Sequence, residues 1–424
     1  MYYAKFEELE NMKKLVPLNC TDKDNKDGIS GLPMGYENSN IYVDSNISNS
    51  LIIGGNNSLK TQLITLPMLH LSASASESVV ICPKNKDVYE TSKKTYEDRG
   101  YKVIKIDFDD LDNSNHWNIL DLPCRLYKQN KKDIAQDLIE NVAFYLLGEK
   151  YNPNQDPFWV NSAINYFTGI TLYTFENNDY TNLMDVMKTD EKVRENPSEF
   201  LSMLDKNSNI YINLVGILSA PVETRGSILS VFNQKLKQFI SRDSFNKMTS
   251  SSDFDITKIC SDKTIVYLLS EDSTLGNYLM PLFINQLYFA KKDNNKLNVI
   301  VEEFSDFYPI AHFSKILDNS RAKGINFTII VRSFRDLYII YGKEEVEIFK
   351  MLFKNIVYLI SSDPDTLNVI SNLCGKKEEN GNVVPLITEE QLRVLSKNEA
   401  IIITQRIMPF KTKLLPYKEF VKNN

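Results

Sequence analysis

Hydrophobic and polar positions along this chain follow two different periods, and they predict strands and helices in turn. From Asn49 onward, short apolar runs rich in β-branched residues predict buried strands, and stretches with apolar residues at three- and four-residue spacing predict the helices between them. Strands that alternate with helices indicate an α/β fold with a parallel sheet and right-handed crossovers. The predicted strands are SLIIGG, ESVVICP, YKVIKIDF, TIVYLLS, LNVIVEEF, INFTIIV, NIVYLIS, EAIIIT and FKTKLLPY.

Only helical periodicity is present between residues 125 and 245. We therefore predict one α/β domain, residues 31–124 and 246–424, interrupted by an all-helical domain at residues 125–245. Residues 1–30 are predicted to form a short amphipathic segment and a polar loop, and we assign no chemistry to them. The helical stretches include DIAQDLIENVAFYLLG, FWVNSAINYFTGITLYTF, NPSEFLSMLDK and RGSILSVFNQKLKQFI.

The composition favours a protein that folds without disulfide bonds or a structural metal. The chain has 424 residues, of which 42% are apolar, and this is enough for a large core. Its net charge of -6 argues against a general affinity for nucleic acid, so any DNA contact must be local. The five cysteines and three histidines are isolated along the sequence, which predicts reduced thiols and no metal site built from them. No apolar run approaches the roughly 18 residues of a membrane helix.

A glycine-containing loop follows the first predicted strand. The run IIGGNNSLKTQ fits the phosphate-binding pattern G-x-x-x-x-G-K-[ST] at Gly54, Lys60 and Thr61, but Leu59 replaces the second glycine. In such a loop, backbone N–H groups surround a phosphate, the lysine contacts it, and the hydroxyl binds magnesium. A left-handed backbone at Leu59 would cost about 1–2 kcal/mol. The alternative is an ordinary strand-to-helix turn with a surface lysine.

Two adjacent carboxylates end the predicted strand LNVIVEEF. Glu302 and Glu303 would face the crevice at the carboxyl edge of a parallel sheet, where such sheets bind ligands. In a nucleotide-hydrolysing site, the first carboxylate would hold magnesium and the second would polarise the attacking water. Glutamates that follow a strand are also common as solvated loop residues, and this alternative stays open.

Several segments, read in order, resemble the TraG/TraD-type coupling proteins of conjugative plasmids and type IV secretion systems. The family's strand, D-P-K-G-E turn, helix and strand are similar to VVICPKNKDVYETSKKTYEDRGYKVIKIDF. DPFWVNSA is similar to the start of the family's helical domain. RGSILSVFNQKLKQF, followed by TSSSDFDITKI, is similar to the segment that leads from that domain back to the α/β domain. VEEF is similar to the family's acidic motif, and GINFTIIVRSFRDLYIIYG is similar to its next strand with a Q-S motif. PFKTKLLPY is similar to its closing strand. The resemblance covers most of residues 30–420.

This resemblance implies a RecA-like P-loop NTPase domain with a parallel sheet and an inserted all-α domain. Such proteins often form a homo-hexameric ring that uses ATP and Mg²⁺ to deliver DNA or a relaxase-type protein substrate to secretion-channel membrane proteins. The membrane-spanning amino-terminal segment of many family members has no counterpart here, so we expect a cytoplasmic protein. Docking on a separate membrane partner, or a role outside secretion, would each explain that difference.

The resemblance also assigns roles to individual residues. Thr61 and Glu302 would bind magnesium, and Glu303 would be the catalytic carboxylate. Arg321, in NSRAKGI, matches an arginine common in the family and would reach a neighbouring subunit's phosphate, unless it is only a solvated helix charge. The residues predicted to contact the nucleotide are Gly54, Gly55, Asn56, Asn57, Ser58, Leu59, Lys60, Thr61 and Arg332.

Four departures from the family pattern lie around this site. Leu59 replaces a glycine, Glu302 replaces the usual aspartate, and Cys82 stands where the D-P-K-G-E turn has its aspartate. Arg332 replaces the glutamine that commonly senses the γ-phosphate, and it would bind phosphate as a fork of donors. Two functions therefore stay open: a coupling-type ATPase, and a non-hydrolysing relative that binds nucleotide or recruits substrate as a scaffold. The helical insertion disfavours a DNA-packaging or chromosome-partition motor.

Overall fold

A computed structural model describes residues 15–17, 28–37, 40–148 and 156–421, and Cα packing divides the chain into two compact units. The first unit comprises residues 1–105, 258–271 and 291–424, and the second comprises residues 106–257 and 272–290. Most of the predicted amino-terminal segment lies outside the described residues. The domain boundaries drawn from the sequence stay a prediction.

The described residues contain strands and helices in the order that the sequence patterns predict from Asn49 onward. The strands are β1 Leu15–Pro17, β2 Leu32–Glu37, β3 Asn40–Asp44, β4 Ser50–Gly54, β5 Ser78–Cys82, β6 Lys102–Asp107, β7 Thr264–Leu269, β8 Leu297–Val301, β9 Ile325–Val331, β10 Asn355–Ile360, β11 Lys376–Glu379, β12 Asn382–Pro385, β13 Glu399–Thr404 and β14 Ile407–Lys413. The helices are α1 Leu66–Ser74, α2 Asp87–Glu97, α3 Asp121–Lys128, α4 Lys132–Leu147, α5 Phe158–Asn177, α6 Leu183–Glu195, α7 Pro197–Met203, α8 Asn209–Leu218, α9 Val222–Ile240, α10 Asp243–Met248, α11 Thr274–Ala290, α12 Phe313–Ser320, α13 Phe334–Tyr341, α14 Lys343–Leu352, α15 Pro364–Cys374, α16 Glu389–Arg393 and α17 Tyr417–Phe420.

A nine-stranded sheet forms the centre of the first unit, in the order β14-β13-β10-β4-β9-β8-β5-β7-β6. The strands from β10 to β7 in this order pair in parallel, and β13 and β14 continue the sheet antiparallel at one edge. All residues of β4, β5, β7, β8 and β9 are buried, which explains their continuous apolar sequences. The predicted α/β fold with a mainly parallel sheet is confirmed.

The strand order brings the two candidate motifs to one edge of the sheet. β9 is the only strand between β4, which precedes the glycine-containing loop, and β8, which precedes the paired glutamates. Because the three strands are parallel, their carboxyl ends lie at the same edge, and β4 and β8 are about 10 Å apart. The segments that follow β4, β9 and β8 can therefore meet.

Helices α3 to α11 make up the regular structure of the second unit. Trp117 is 2% exposed and packs edge-on against Phe283 of α11, with 5.0 Å between ring centroids. In α5, Tyr166 packs in the same way against Phe232 of α9. These aromatic contacts supply the core that the apolar periodicity of the helices predicts. None of the helices in the described part of the chain combines the length and apolar content that a membrane crossing requires.

Two small sheets were not predicted from the sequence. The first has the order β1-β3-β2, and β2 was missed because Pro33 and Gly35 interrupt its pattern; the pairing with β3 shifts register between these residues. The second is the β11–β12 hairpin, whose strands are mostly exposed and polar. Asn380 and Gly381 join them with φ angles of 52° and 77°, and the Asn-Gly pair was the available signal.

A buried polar cluster attaches the small sheet to the amino ends of the central strands. Asp44 of β3 accepts hydrogen bonds from Lys354 Nζ at 2.7 Å, from Asn355 Nδ2 at 2.8 Å and from Asn46 Nδ2 at 2.6 Å. Asn355 in turn accepts from Thr404 Oγ1 at 2.6 Å. Burial raises the pKa of Asp44, but the hydrogen bonds from Lys354, Asn355 and Asn46 outweigh it, so the pKa lies below its ordinary value.

Replacing Asp44 by Asn should lower the free energy of unfolding by about 1–3 kcal/mol near neutral pH, because Lys354 loses its charged partner. The folded-state pKa of Asp44 lies below the unfolded value. Its stabilisation is therefore present above the unfolded pKa and is lost as the pH falls through the folded value. Urea denaturation should show the full difference near neutrality and a shrinking one below about pH 4. Exposed Asp98→Asn is the matched control, and a difference that persists in acid would contradict this account.

Candidate functional site

The loop between β4 and α1 has a left-handed backbone at two positions. Asn57 and Leu59 both have φ angles of 61°. The N–H of Leu63 donates to the carbonyl of Leu59 at 2.9 Å, so the following helix begins directly from this conformation. Leu59 is 37% exposed. The leucine thus adopts the backbone that a glycine would adopt, at the steric cost expected from the sequence.

The first glycine of the loop lies in close contact with two side chains of the same loop. A Cβ on Gly54 would collide with Ser58 Oγ and would lie 3.0 Å from Lys60 Cγ. The N–H of Gly55 donates to the carbonyl of Ile360 at 2.7 Å, which fixes the end of β4 against β10. These contacts fold the loop back over the end of its own strand.

Several main-chain donors of the loop have no hydrogen-bond acceptor among the described residues. In the described part of the chain, the N–H groups of Asn56, Asn57, Leu59 and Lys60 donate to no protein acceptor. Left-handed residues in such a loop turn successive N–H groups toward one side, and this forms a concave site for an anion. A helix beginning at the loop adds its positive end to the same place. The loop can therefore hold a phosphate.

Lys60 is folded back onto the loop. Its Nζ donates to the carbonyl of Gly54 at 2.6 Å and to that of Gly55 at 3.3 Å. The same atom lies 3.1 Å from Glu303 Oε1, and the lysine side chain is only 10% exposed. The structure therefore brings together the predicted lysine and the second predicted glutamate.

Glu302 is held by hydrogen bonds from three places. Its Oε1 accepts from Thr61 Oγ1 at 2.8 Å and from Thr65 Oγ1 at 2.5 Å, and its Oε2 accepts from the N–H of Lys84 at 2.9 Å. Thr61 and Thr65 are the first and last residues of a π-helical turn, a conformation often found at functional sites. Sequence reasoning missed Thr65 and Lys84. The signal for Thr65 was a second threonine four residues after the first.

The oxygens around Glu302 fit part of a magnesium coordination shell. Magnesium prefers oxygen ligands, and Thr61 Oγ1 and Glu302 Oε1 are two such oxygens, joined here by a hydrogen bond of 2.8 Å. Within residues 28–37, 40–148 and 156–421, no group of three or more His, Cys, Asp or Glu side chains could hold a metal ion. The remaining ligands would come from a nucleotide and water, as is usual for Mg²⁺.

Glu303 is a buried carboxylate surrounded by cations. It has a left-handed backbone with a φ of 47° and is 3% exposed. Lys60 Nζ lies 3.1 Å and Lys84 Nζ 3.6 Å from its Oε1, and Arg332 Nε lies 3.4 Å from its Oε2. Among the described residues, neither carboxylate oxygen has a partner with good hydrogen-bond geometry. Charge attraction alone therefore compensates this buried anion.

Arg332 contacts three carboxylates, two of them in the turn after β8 and the third in the first turn of α13. Its Nη2 lies 2.6 Å from Asp306 Oδ1, and its Nε lies 3.4 Å from Asp336 Oδ2 as well as from Glu303. Burial lowers the pKa of Arg332, but Asp306, Glu303 and Asp336 outweigh it, so the pKa lies above its ordinary value. Burial raises the pKa of Asp306, and repulsion from Glu303 and Asp336 adds to that rise. The predicted contact of Arg332 with phosphate stays a prediction.

Arg321 and Cys82 are two further residues that the sequence analysis named, and within the described part of the chain neither side chain forms a hydrogen bond or an ion pair with the loop or the glutamates. Arg321 is exposed and precedes β9, so it lies at the amino edge of the sheet, opposite the edge where the loop follows β4. It does not contribute to the site of its own chain, and its role toward a neighbouring subunit stays a prediction. Cys82 ends β5 with its side chain buried, and burial raises the pKa of its thiol. Its carbonyl accepts from the N–H of Glu302 at 2.9 Å.

Comparison with known proteins agrees with this architecture. A family model described as type IV secretory system conjugative DNA transfer matches residues 4–382. The solved structure of plasmid coupling protein TrwB in complex with ADP and Mg²⁺ has a TM-score of 0.66 and 13% identity, and the match covers 98% of this chain and 95% of TrwB. VirB4 of Thermoanaerobacter pseudethanolicus has a TM-score of 0.60 and 12% identity, with coverage of 92% and 98%. No curated protein matches at a significant level. These matches confirm the predicted fold class.

Replacing Thr65 by Val keeps the side-chain shape and removes the hydroxyl. It should lower the free energy of unfolding by about 1.5–3 kcal/mol, because the hydroxyl donates to a carboxylate that is only 2% exposed. Thr65→Ser is the matched control; it keeps the hydroxyl and loses one methyl group, at a cost of about 1 kcal/mol. Urea denaturation compares the two variants. Equal losses would show that the hydroxyl does not stabilise the protein.

Proposed function

The chain belongs to the type IV secretory system conjugative DNA transfer family, and on this premise we propose that it binds ATP with Mg²⁺ and couples hydrolysis to substrate transfer. The observation that carries the proposal is the convergence of the loop, Lys60, Thr61 and the paired glutamates at one edge of the sheet. Each of these groups matches a requirement of phosphoryl transfer, in which catalysis is mostly positioning and charge stabilisation.

Phosphate binding would use the backbone of the loop and the ammonium group of Lys60. The loop N–H groups that have no acceptor among the described residues supply donors for the β-phosphate. Lys60 now lies on two carbonyls and on Glu303, so it would turn toward the phosphate oxygens when a nucleotide enters. That turn exchanges an ion pair with one carboxylate for contact with a more highly charged group.

Thr61 and Glu302 would hold magnesium together. Their oxygens lie side by side in a hydrogen bond, and the hydroxyl of Thr65 and the N–H of Lys84 orient the carboxylate further. When bound, the ion neutralises charge that develops on the phosphate oxygens. The longer side chain of glutamate is accommodated here by hydrogen bonds from a helix and from the segment that follows β5.

Glu303 would orient and deprotonate the attacking water. It follows Glu302 directly but has a left-handed backbone, so the two side chains have different partners. A carboxylate that is 3% exposed is shielded from bulk water, and this strengthens its interaction with any bound water. Once Lys60 moves to the phosphate, Glu303 loses its nearest cation and its Oε1 is left open to a water molecule.

We propose DNA, or a relaxase-type protein attached to it, as the substrate. Family membership supports a substrate of this kind, and the structurally similar TrwB is a bacterial conjugative coupling protein. Arg321 lies at the edge opposite its own chain's loop, and we propose that in a homo-hexamer it would reach a neighbour's phosphate instead. Secretion-channel membrane proteins would recruit the ring to the membrane.

One observation favours a second function, that of a scaffold that binds nucleotide without hydrolysing it. Glu303 is paired with three cations, and Arg332 would remain beside it after Lys60 has moved. A carboxylate with cations at both oxygens has less room to accept a hydrogen bond from an attacking water. Phosphate release by purified protein with magnesium, with and without single-stranded and duplex DNA, separates the two functions. DNA-stimulated release excludes the scaffold.

Replacing Lys60 by Ala should weaken binding of a fluorescent ATP analogue at least about tenfold, because a charge-assisted contact with phosphate is lost. It should also abolish measurable phosphate release. Lys93→Ala, on the outer face of α2, is the matched control and should bind as the wild type does. Unchanged binding by the Lys60 variant would remove the nucleotide site from this loop.

Replacing Glu303 by Gln should lower kcat for phosphate release by about 10²–10⁴-fold, the usual contribution of a general base. Affinity for the nucleotide should fall little, because Glu303 does not contact phosphate. Asp98→Asn, an exposed carboxylate on the first unit, is the control. Retained turnover in the Glu303 variant would assign the base to another residue.

A further inference from the structure

We infer that the ammonium group of Lys84 contacts the γ-phosphate of the bound nucleotide, so that the site distinguishes a nucleoside triphosphate from a diphosphate. This inference rests on the proposed function, and it applies to a nucleotide-binding scaffold as well as to an ATPase. The observation that carries it is the fixed backbone of Lys84, which places an exposed cationic side chain beside the buried carboxylate of Glu303.

The segment after β5 is held by three hydrogen bonds of its main chain. The carbonyl of Cys82 accepts from the N–H of Glu302 at 2.9 Å, and the N–H of Lys84 donates to Glu302 Oε2 at 2.9 Å. The N–H of Lys86 donates to Glu271 Oε1 at 2.6 Å, directly before α2 begins. The backbone that carries Lys84 therefore has a defined place, and only its side chain is free to move.

The strand order places Lys84 across the site from the phosphate-binding loop. The strands β4, β9, β8 and β5 are neighbours in this order, and they are parallel. The loop follows β4, the paired glutamates follow β8, and Lys84 follows β5, so Lys84 lies beyond the glutamates as seen from the loop. A row of phosphates that begins at the loop and passes Glu302 would therefore end on the side of Lys84.

The cations around Glu303 outnumber the negative charge that this residue supplies. Lys84 Nζ lies 3.6 Å from Glu303 Oε1, the same oxygen that Lys60 Nζ approaches to 3.1 Å. Arg332, the third cation, has Asp306 as a closer partner at 2.6 Å. Among the described residues, Glu303 is the only carboxylate that Lys84 contacts. Two lysines thus share one carboxylate, and an incoming phosphate would supply the second negative charge.

The γ-phosphate would lie within reach of this side chain. A water that Glu303 positions would attack the γ-phosphorus from about 3–3.5 Å, and Lys84 Nζ is 3.6 Å from the same carboxylate. Lysine carries its charge on a flexible aliphatic stem. Because the side chain of Lys84 is 54% exposed, the ammonium group can shift from the carboxylate to the phosphate while the backbone stays in place. A diphosphate has no group at this position.

Replacing Lys84 by Gln removes the charge and keeps most of the side-chain length. Dissociation constants are measured with magnesium for two fluorescent nucleotides, a non-hydrolysable ATP analogue and an ADP analogue. We expect the constant for the ATP analogue to rise about five- to tenfold and that for the ADP analogue to change less than about twofold, because a charge-assisted contact is lost only from the triphosphate. Lys84→Arg keeps the charge and should retain most of the preference. Exposed Lys94→Gln, on α2, is the matched control and should bind both analogues as the wild type does.

A double-mutant cycle separates contact with the phosphate from an indirect effect through Glu303. If Lys84 contacts the γ-phosphate, Lys84→Gln should weaken binding of the ATP analogue at least as strongly in the Glu303→Gln background as in the wild type. Loss of the effect in that background would show that Lys84 acts only by neutralising the carboxylate, and would overturn the inference. Equal weakening for both analogues, or for neither, would also overturn it. Circular dichroism confirms that each variant is folded.

The failure of the inference is distinguishable from failure of the proposed function. Binding of the ATP analogue by the wild type and its loss in Lys60→Ala are measured first. If the wild type does not bind the analogue, the proposed function and the inference both fall. If the wild type binds it and Lys84→Gln binds it equally well, only the inference falls.

Discussion

The negative charge of Glu303 is the constraint around which the carboxyl edge of the sheet is built. A carboxylate that is 3% exposed and lacks well-formed hydrogen bonds to the described residues is stable only beside positive charge. Lys60 comes from the loop after β4, and Arg332 comes from the segment after β9. Each cation then requires its own partners, which are loop carbonyls for the lysine and aspartates for the arginine. One buried charge thus organises three neighbouring segments.

The adjacent Glu302 is also buried, but hydrogen bonds rather than cations stabilise its carboxylate. Glu302 has no cation within contact among the described residues, but its carboxylate accepts three hydrogen bonds. The left-handed backbone at Glu303 separates the two side chains, so two neighbours in sequence have different surroundings. Hydrogen bonds orient a carboxylate in a way that charge attraction does not. The carboxylate of Glu302 is therefore fixed in orientation, whereas that of Glu303 is held by charge attraction alone.

The sequence was sufficient to predict the parts of this site that depend on local pattern. The strand-to-helix loop with Lys60 and Thr61, and the strand that ends in Glu302 and Glu303, were predicted from periodicity and motif, and the parallel sheet brings them together. Asp306 and Asp336 were not predicted, because their importance depends on where Arg332 points. The closest partner, Asp306, lies 26 residues before Arg332, so this direction is set by packing between separate segments. The small sheet with β2 and β3 was missed because proline and glycine interrupt its alternation.

The charges around Arg332 also bear on how a nucleotide would arrive. Glu302, Glu303, Asp306 and Asp336 face a smaller number of basic side chains at this edge, so the site has no excess of positive charge. A strongly basic cleft draws anions in from solution and raises their association rate. This cleft would not attract a free tetra-anion in that way. Under the proposed function, the nucleotide already complexed with magnesium, which carries less charge, would be the species whose encounter with the site is favoured, and free magnesium would then govern how quickly the site fills.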